Sequence, residues 1–227
     1  MKPPYLKFYK EVEGLKVFII DGDYVRNNLN GEFTNFAEHF RFPNMIPPNE
    51  IWLDKCRGNN EYRFFIHNAK TENTLMSRGE TYDHAHKVAN QSEEAMRKQL
   101  LHLHRTLRKE HYGTIGQDGL PVQVFIVDGE EVRNKYDIDF TEGGHDLVYK
   151  WIPNREIWID DKLNPKERLD IMVHESTERK KMSQGLRYEA AHQSANIVEH
   201  TERKSHKLPK LFKFVRKTAP SISGMRK

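Results

Sequence analysis

The residues whose types and spacing could do chemistry lie between Val173 and Glu199. They are His174-Glu175-Ser176-Thr177-Glu178, followed by Met182, Gly185, Tyr188, His192 and Glu199. On a helix advancing about 100° per residue, with Ile171 at zero, His174, Glu175, Glu178 and Met182 fall at roughly −60°, +40°, −20° and +20°. Two carboxylates and a histidine thus share a stripe with apolar neighbours, where charge is costly unless paired or bound to a metal. A second stripe joins Tyr188, Ala191, His192, Ala195 and Glu199, its alanines small enough to let another helix approach. If the two helices run antiparallel after Gly185, His192 faces His174 and Glu178. Two histidines and one carboxylate are the donor set of a catalytic zinc site with an open fourth position. Glu175, beside the first donor, is then placed as general base for a metal-bound water. Glu199 and the loop histidine His145 are possible accessory groups. The alternative is a Glu178–His192 hydrogen bond that locks two helices without metal, with Glu175–Arg179 as an ordinary i,i+4 pair.

A sheet, a helix carrying His-Glu-x-x and a second helix with the last donor resemble a minimal zincin-type metallopeptidase. That family carries His-Glu-x-x-His, with glutamate as third ligand in the gluzincin branch. Here the last two ligands are exchanged, Glu178 standing in the motif and His192 following on the next helix. The resemblance implies Zn2+ at His174, Glu178 and His192, and hydrolysis of a peptide or protein substrate. The stretch is also similar to small phage and bacterial proteins with an HExxER…M…G…Y…AH pattern, a likeness that covers more of each repeat and implies no activity.

The same stretch has a degraded copy about a hundred residues earlier. Lys16-Val17-Phe18-Ile19-Ile20-Asp21-Gly22 returns as Gln123 to Gly129, and Val25-Arg26-Asn27 as Val132-Arg133-Asn134. Glu50-Ile51-Trp52 returns as Glu156-Ile157-Trp158, while Glu72, Met76, Gly79, Tyr82, His86 and Glu93 match Glu178, Met182, Gly185, Tyr188, His192 and Glu199. The chain is a tandem duplication. The first copy keeps Glu72 and His86 but has Asn68 and Ala69 where the second has His174 and Glu175, so its site is degenerate. The division expected is a first repeat with an N-terminal arm over 1–98, a connecting helix and loop over 99–121, a second repeat over 122–204 and a basic tail over 205–227.

The elements that must position these residues read as α+β, each copy a small, mainly antiparallel sheet followed by two helices. Val124 to Val127 is a strand, Asp128-Gly129 signals a hairpin turn, and Val132-Arg133 begins the return. Leu147 to Ile152 and Glu156 to Ile159 read as further strands. Asn164-Pro165 starts a helix, with Glu167 completing a capping box, and Gly185 ends it. The second helix runs from Tyr188 to Lys204. Glu93 to His111 reads as one long helix leaving the first repeat, Gly113 to Pro121 as a loop, and Lys2 to Val12 as an edge strand or an arm. Trp52, Trp158, Ile51 and Ile157 are sheet core. Asp54 and Asp160 are turn residues at strand ends or outer partners of a site, and His39 corresponds to His145.

Composition bounds the partners. Of 227 residues 31% are charged and 37% hydrophobic, which favours two small cores over one large one. The single cysteine, Cys56, excludes an internal disulfide and a Cys-x-x-Cys zinc site. The net charge of +4 is unevenly spread: residues 200–227 carry +8 and the rest −4. Such a tail is suited to nucleic acid or an acidic protein surface. No signal-peptide or membrane-spanning pattern is present, so the expected setting is cytoplasmic or intracellular, or within a virion. Walker, GxSxG and dinucleotide fingerprints are absent. Three functions follow: a metal-dependent, peptidase-like hydrolase with one working repeat; a non-enzymatic assembly protein, such as a virion component, gripping its partner with the tail; or a nucleic-acid binder. The last rests on the tail and the basic stretch Arg97 to Lys109 alone and has no recognition motif.

Overall fold

The computed structural model describes residues 4–33, 36–56, 60–99 and 106–205. The tail over 206–227 and the centre of the expected connecting helix lie outside them. The fold is α+β, built from two four-stranded sheets that are each followed by helices, six helices among the described residues. The first sheet contains β1 (Tyr5–Val12), β2 (Leu15–Ile20), β3 (Ala37–Glu38) and β4 (Glu50–Asp54), in the order β1-β2-β4-β3. The second contains β5 (Lys109–Gln117), β6 (Leu120–Val127), β7 (Gly143–His145) and β8 (Glu156–Asp160), in the order β5-β6-β8-β7. No helix among the described residues is long and apolar enough to cross a membrane.

Each sheet is mixed, antiparallel in two of its three strand pairings and so mainly antiparallel as expected, with one parallel pair at its centre. The central pair is parallel, with Val17 opposite Ile51 in one sheet and Val124 opposite Ile157 in the other, and the edge strands are antiparallel. The expected hairpin at Asp128-Gly129 is therefore wrong, and no strand returns at Val132. Asp128 instead caps a short helix, α4 (Gly129–Lys135), by accepting from the Glu131 N–H, and Asp21 caps α1 (Gly22–Asn28) in the same way. Glycine follows each aspartate because a side chain would not fit. A Cβ would lie 1.9 Å from the Asp54 carboxylate at Gly22 and 2.1 Å from that of Asp160 at Gly129. Leu147 to Ile152 forms turns, not a strand; the His145 carbonyl takes the N–H groups of both Val148 and Tyr149.

The long connecting helix is also corrected. The helix α3 (Tyr82–Lys98) stops before Gln99, and Lys109–Gln117 is the first strand of the second sheet. Helix-forming composition is a weak preference, and here pairing with β6 overrides it, burying Ile115. The expected loop at Gly113 to Pro121 is a hairpin whose turn is Asp118 (φ 54°) and Gly119 (φ 75°). Its counterpart is the β1–β2 hairpin, so the edge-strand reading of the N-terminal segment holds over Tyr5–Val12. Each repeat thus begins one strand earlier than sequence similarity shows.

The long helices α2 (Tyr62–Ser77), α3, α5 (Pro165–Ser183) and α6 (Tyr188–Ser205) pack in pairs on one sheet face. Asn164 caps α5 through the N–H groups of Lys166 and Glu167, and Gly185, at φ 92°, turns the chain into α6. Glu167 does not complete a capping box, because its carboxylate is taken by Arg203 and Arg26. Alternation along β8 sends Ile157 and Ile159 toward Ile171 and Met172, and Trp158 to the other face with Val132, Phe140 and Ile152. The first half repeats this with Ile51 and Leu53 against Phe65 and Ile66, and Trp52 against Val25, Phe33 and Ile46.

The halves are joined by reciprocal buried ion pairs. Arg26 lies 2.8 Å from Asp54 in its own half and 2.9 Å from Glu167 of the other. Arg133 lies 2.9 Å from Asp160 and, across the junction, 2.9 Å from Glu61. The three pairs of residues correspond between repeats, so the contact is self-complementary, as across a two-fold axis. Asp54 and Asp160 are strand-end residues as expected, and arginine is their partner.

Candidate metal centre in the second repeat

Three donor atoms from α5 and α6 converge. His174 Nε2 lies 3.2 Å from His192 Nδ1, His192 Nδ1 lies 2.7 Å from Glu178 Oε2, and His174 Nε2 lies 3.6 Å from Glu178 Oε2. A triangle of those edges has a point about 1.9 Å from every corner, so His174, Glu178 and His192 would hold an ion with bonds near zinc's roughly 2.0–2.2 Å. The antiparallel packing that brings this about needs the Gly185 turn and the fully buried Ala191 and Ala195 on α6. Carboxylate and imidazole donors at close quarters suit zinc or a similar divalent ion.

Each donor has a partner behind it. His174 Nδ1 lies 2.8 Å from Glu199 Oε2, and Glu199 in turn accepts from Arg203 at 2.7 Å. A proton held on Nδ1 by Glu199 leaves Nε2 to face the centre, the arrangement that orients metal-bound histidines. His145, wholly buried, accepts the Leu147 N–H at Nδ1. Its Nε2 therefore carries the proton and donates to Glu178 Oε1 at 3.0 Å. Tyr188 stacks on the His192 ring at 5.5 Å. Around this triangle the accessory residues Glu199 and His145 thus stand behind the donors.

Glu175 lines the same cleft, of about 110 Å³, with Tyr149, Gly143 and Gly144. It forms a second group of candidate donor atoms with His145 and Glu178, all within 4.8 Å of one another. The i,i+4 pair with Arg179 does not form, since Arg179 grips Asp146 at 2.6 and 3.0 Å. Burial pushes the Glu175 carboxyl up to about 7 against the pull of His174 and His145. The edge strand makes room for it: a Cβ on Gly143 would lie 3.1 Å from Glu175 Cγ and 2.8 Å from Ile171.

The imidazoles and the Glu178 carboxylate hold one another in their charged forms. Burial pulls His174 down, but hydrogen bonds to Glu178 and Glu199 outweigh it and raise it to about 10. His192 is raised to about 9 by Glu178 and then Glu32, with burial opposing. Burial would raise Glu178, yet hydrogen bonds from His145, His174 and His192 hold it far below the usual carboxylate range. A metal entering here must displace protons.

The first repeat has the frame without the centre. Glu72 bonds His86 Nδ1 at 2.6 Å and His39 Nε2 at 3.0 Å, as Glu178 bonds His192 and His145. Asn68, in place of His174, donates to Asn90 at 2.9 Å, and Ala69 is packed into the core. Both three-donor groups found among the described residues lie in the second repeat. The Glu–His contact therefore belongs to the fold of both repeats, while His174 and Glu175 are additions to it. A cavity of about 580 Å³ lies elsewhere in the first half, against Tyr5, Trp52 and Met45, and none of these donors line it.

Sequence reasoning missed an exchange between halves. Glu32 of the first repeat reaches the rim of the second repeat's cleft, accepting from Asn196 at 2.6 Å, and Asp139 accepts from Asn90 at 2.7 Å. The available signal was an acid before the matched Phe33 and Phe140 in both copies. No family model, curated protein or solved structure matches the chain.

Proposed function

We propose that the second repeat binds one divalent metal ion, zinc first among them, through His174, Glu178 and His192, and works as a zincin-like, peptidase-like hydrolase. The observation that carries this reading is the triangle of donor atoms, which accommodates a common ion and is absent from the otherwise equivalent first repeat. The metal would supply Lewis acidity and a lowered pKa for water at its open position. Glu199 and His145 orient two of the donors, and Glu175, near neutrality in the metal-free chain, is the group placed to take a proton from water. The first repeat, with Asn68 and Ala69, has no catalytic part.

The test is hydrolysis of a mixed library of quenched fluorescent peptides by zinc-loaded protein. Activity should vanish with a chelator and return with zinc, and Glu175→Gln should keep the metal while losing at least about a hundredfold in rate. No cleavage of any peptide by metal-loaded protein would sink the peptidase part. The persistence of the Glu72–His86 contact in a repeat with Asn68 and Ala69 in place of His174 and Glu175 favours a second reading. In that reading the duplicated frame is a non-enzymatic assembly module, with the basic tail meeting nucleic acid or an acidic protein surface.

A further inference from the structure

Each repeat lends an acid to the helix pair of the other. Glu32 Oε1 accepts from Asn196 Nδ2 at 2.6 Å, and its Oε2 lies 3.9 Å from His192 Nε2. In the opposite direction Asp139 Oδ1 accepts from Asn90 Nδ2 at 2.7 Å and lies 3.3 Å from His86 Nε2. Glu32 corresponds to Asp139, Asn196 to Asn90 and His192 to His86, so the exchange follows from how the halves pack. It is fixed by the same junction that buries Arg26 against Glu167 and Arg133 near Glu61.

In the second repeat this acid has a place to fill. The donors His174 and Glu178 are backed from within their own half, by Glu199 and His145. For His192, whose Nδ1 faces the centre, the carboxylate on the Nε2 side is Glu32. At 3.9 Å the approach is longer than a direct hydrogen bond and within the reach of an ion pair. Asn196, one helical turn beyond His192, holds the carboxylate there. We infer that Glu32 is a positioning residue of the second repeat's metal centre, so that the degenerate repeat completes the site of the other. This rests on the metal-binding reading above and adds a reason for the first repeat to be kept: the second alone would lack the outer partner of one ligand. Outer-shell partners of this kind contribute roughly 10- to 100-fold in metal affinity.

The test titrates Zn2+ and Co2+ into full-length wild type, Glu32→Gln and Asp139→Asn, against a chromophoric chelator. Thermal unfolding of the metal-free forms is followed alongside. Asp139→Asn cuts the mirror-image clip and serves as the control for loosening the junction. Glu32→Gln should weaken zinc about tenfold or more and alter the visible Co2+ spectrum, whereas Asp139→Asn should do neither. Equal affinity and an unchanged spectrum in Glu32→Gln would overturn the inference while leaving the metal site standing. Equal losses in both variants would reduce Glu32 to a clip between halves, which also overturns it. Wild type that takes up no metal would remove the metal-binding reading itself, and this inference with it.

Discussion

Gly143 on the edge strand and Glu175 on α5 are matched to each other: a Cβ on the glycine would sit 3.1 Å from the glutamate's Cγ. The first repeat makes the opposite choice, with Ala37 at the strand position and Ala69 on the helix, both associated with one apolar cluster. Gly143→Ala should therefore destabilise the protein by about 1–3 kcal/mol through overpacking. The cost should shrink in a Glu175→Ala background, leaving the share due to Ile171. Urea unfolding of the two single variants and the double variant measures the coupling; strict additivity would mean that the glycine is not there for the glutamate.

The first repeat offers a gain-of-site experiment. Glu72, His86 and Glu93 already stand where Glu178, His192 and Glu199 stand, and Arg97 binds Glu93 at 2.8 Å as Arg203 binds Glu199. Asn68→His should supply the missing donor and raise zinc binding from about one to about two ions per chain. Equilibrium dialysis reads this directly. A second site that fails to appear in a folded variant would show that the shared frame is not what prepares the centre.

Stability of the metal-free protein should peak at mildly acidic pH. Burial would raise Glu72, but hydrogen bonds from His39 and His86 lower it from 4.5 to about 2. Its contribution is complete above 4.5 and is lost as pH falls toward 2. Asp139 and Glu72 raise His86 from 6.5 to about 10, against burial. That contribution is complete below 6.5 and is lost as pH rises through 10, and His174 and His192 behave alike in the absence of metal. Urea midpoints in a chelator should decline on the alkaline side. Zinc should reverse that slope, because it binds the deprotonated imidazoles. A flat alkaline limb without metal would mean that the histidines are not charged as their partners imply.

Much of the second helix pair was legible from sequence. Asn164-Pro165, Gly185 and the spacing of Glu178, His192 and Glu199 fix helix ends and faces by local chemistry, and the structure puts those residues together. The duplication separated what belongs to the frame from what belongs to the centre. Asp-Gly at 128–129 misled because the glycine answers to a long-range contact with Asp160 rather than to a turn. Lys109–Gln117, read as the end of a helix and the start of a loop, misled because local preference decided that reading, while its pairing with β6 is a tertiary matter. The matched acids before Phe33 and Phe140 marked Glu32, but not its role: only the packing of one half on the other, set by Arg26 and Arg133, brings it to His192.

The central claim is a metal held at His174, Glu178 and His192, and the zinc content of purified, zinc-equilibrated and dialysed protein tests it most directly. Wild type should retain about one zinc per chain, the count of one three-donor site, and His174→Ala should retain none while remaining folded. Wild type free of zinc after the same treatment, or His174→Ala with its zinc intact, would contradict it.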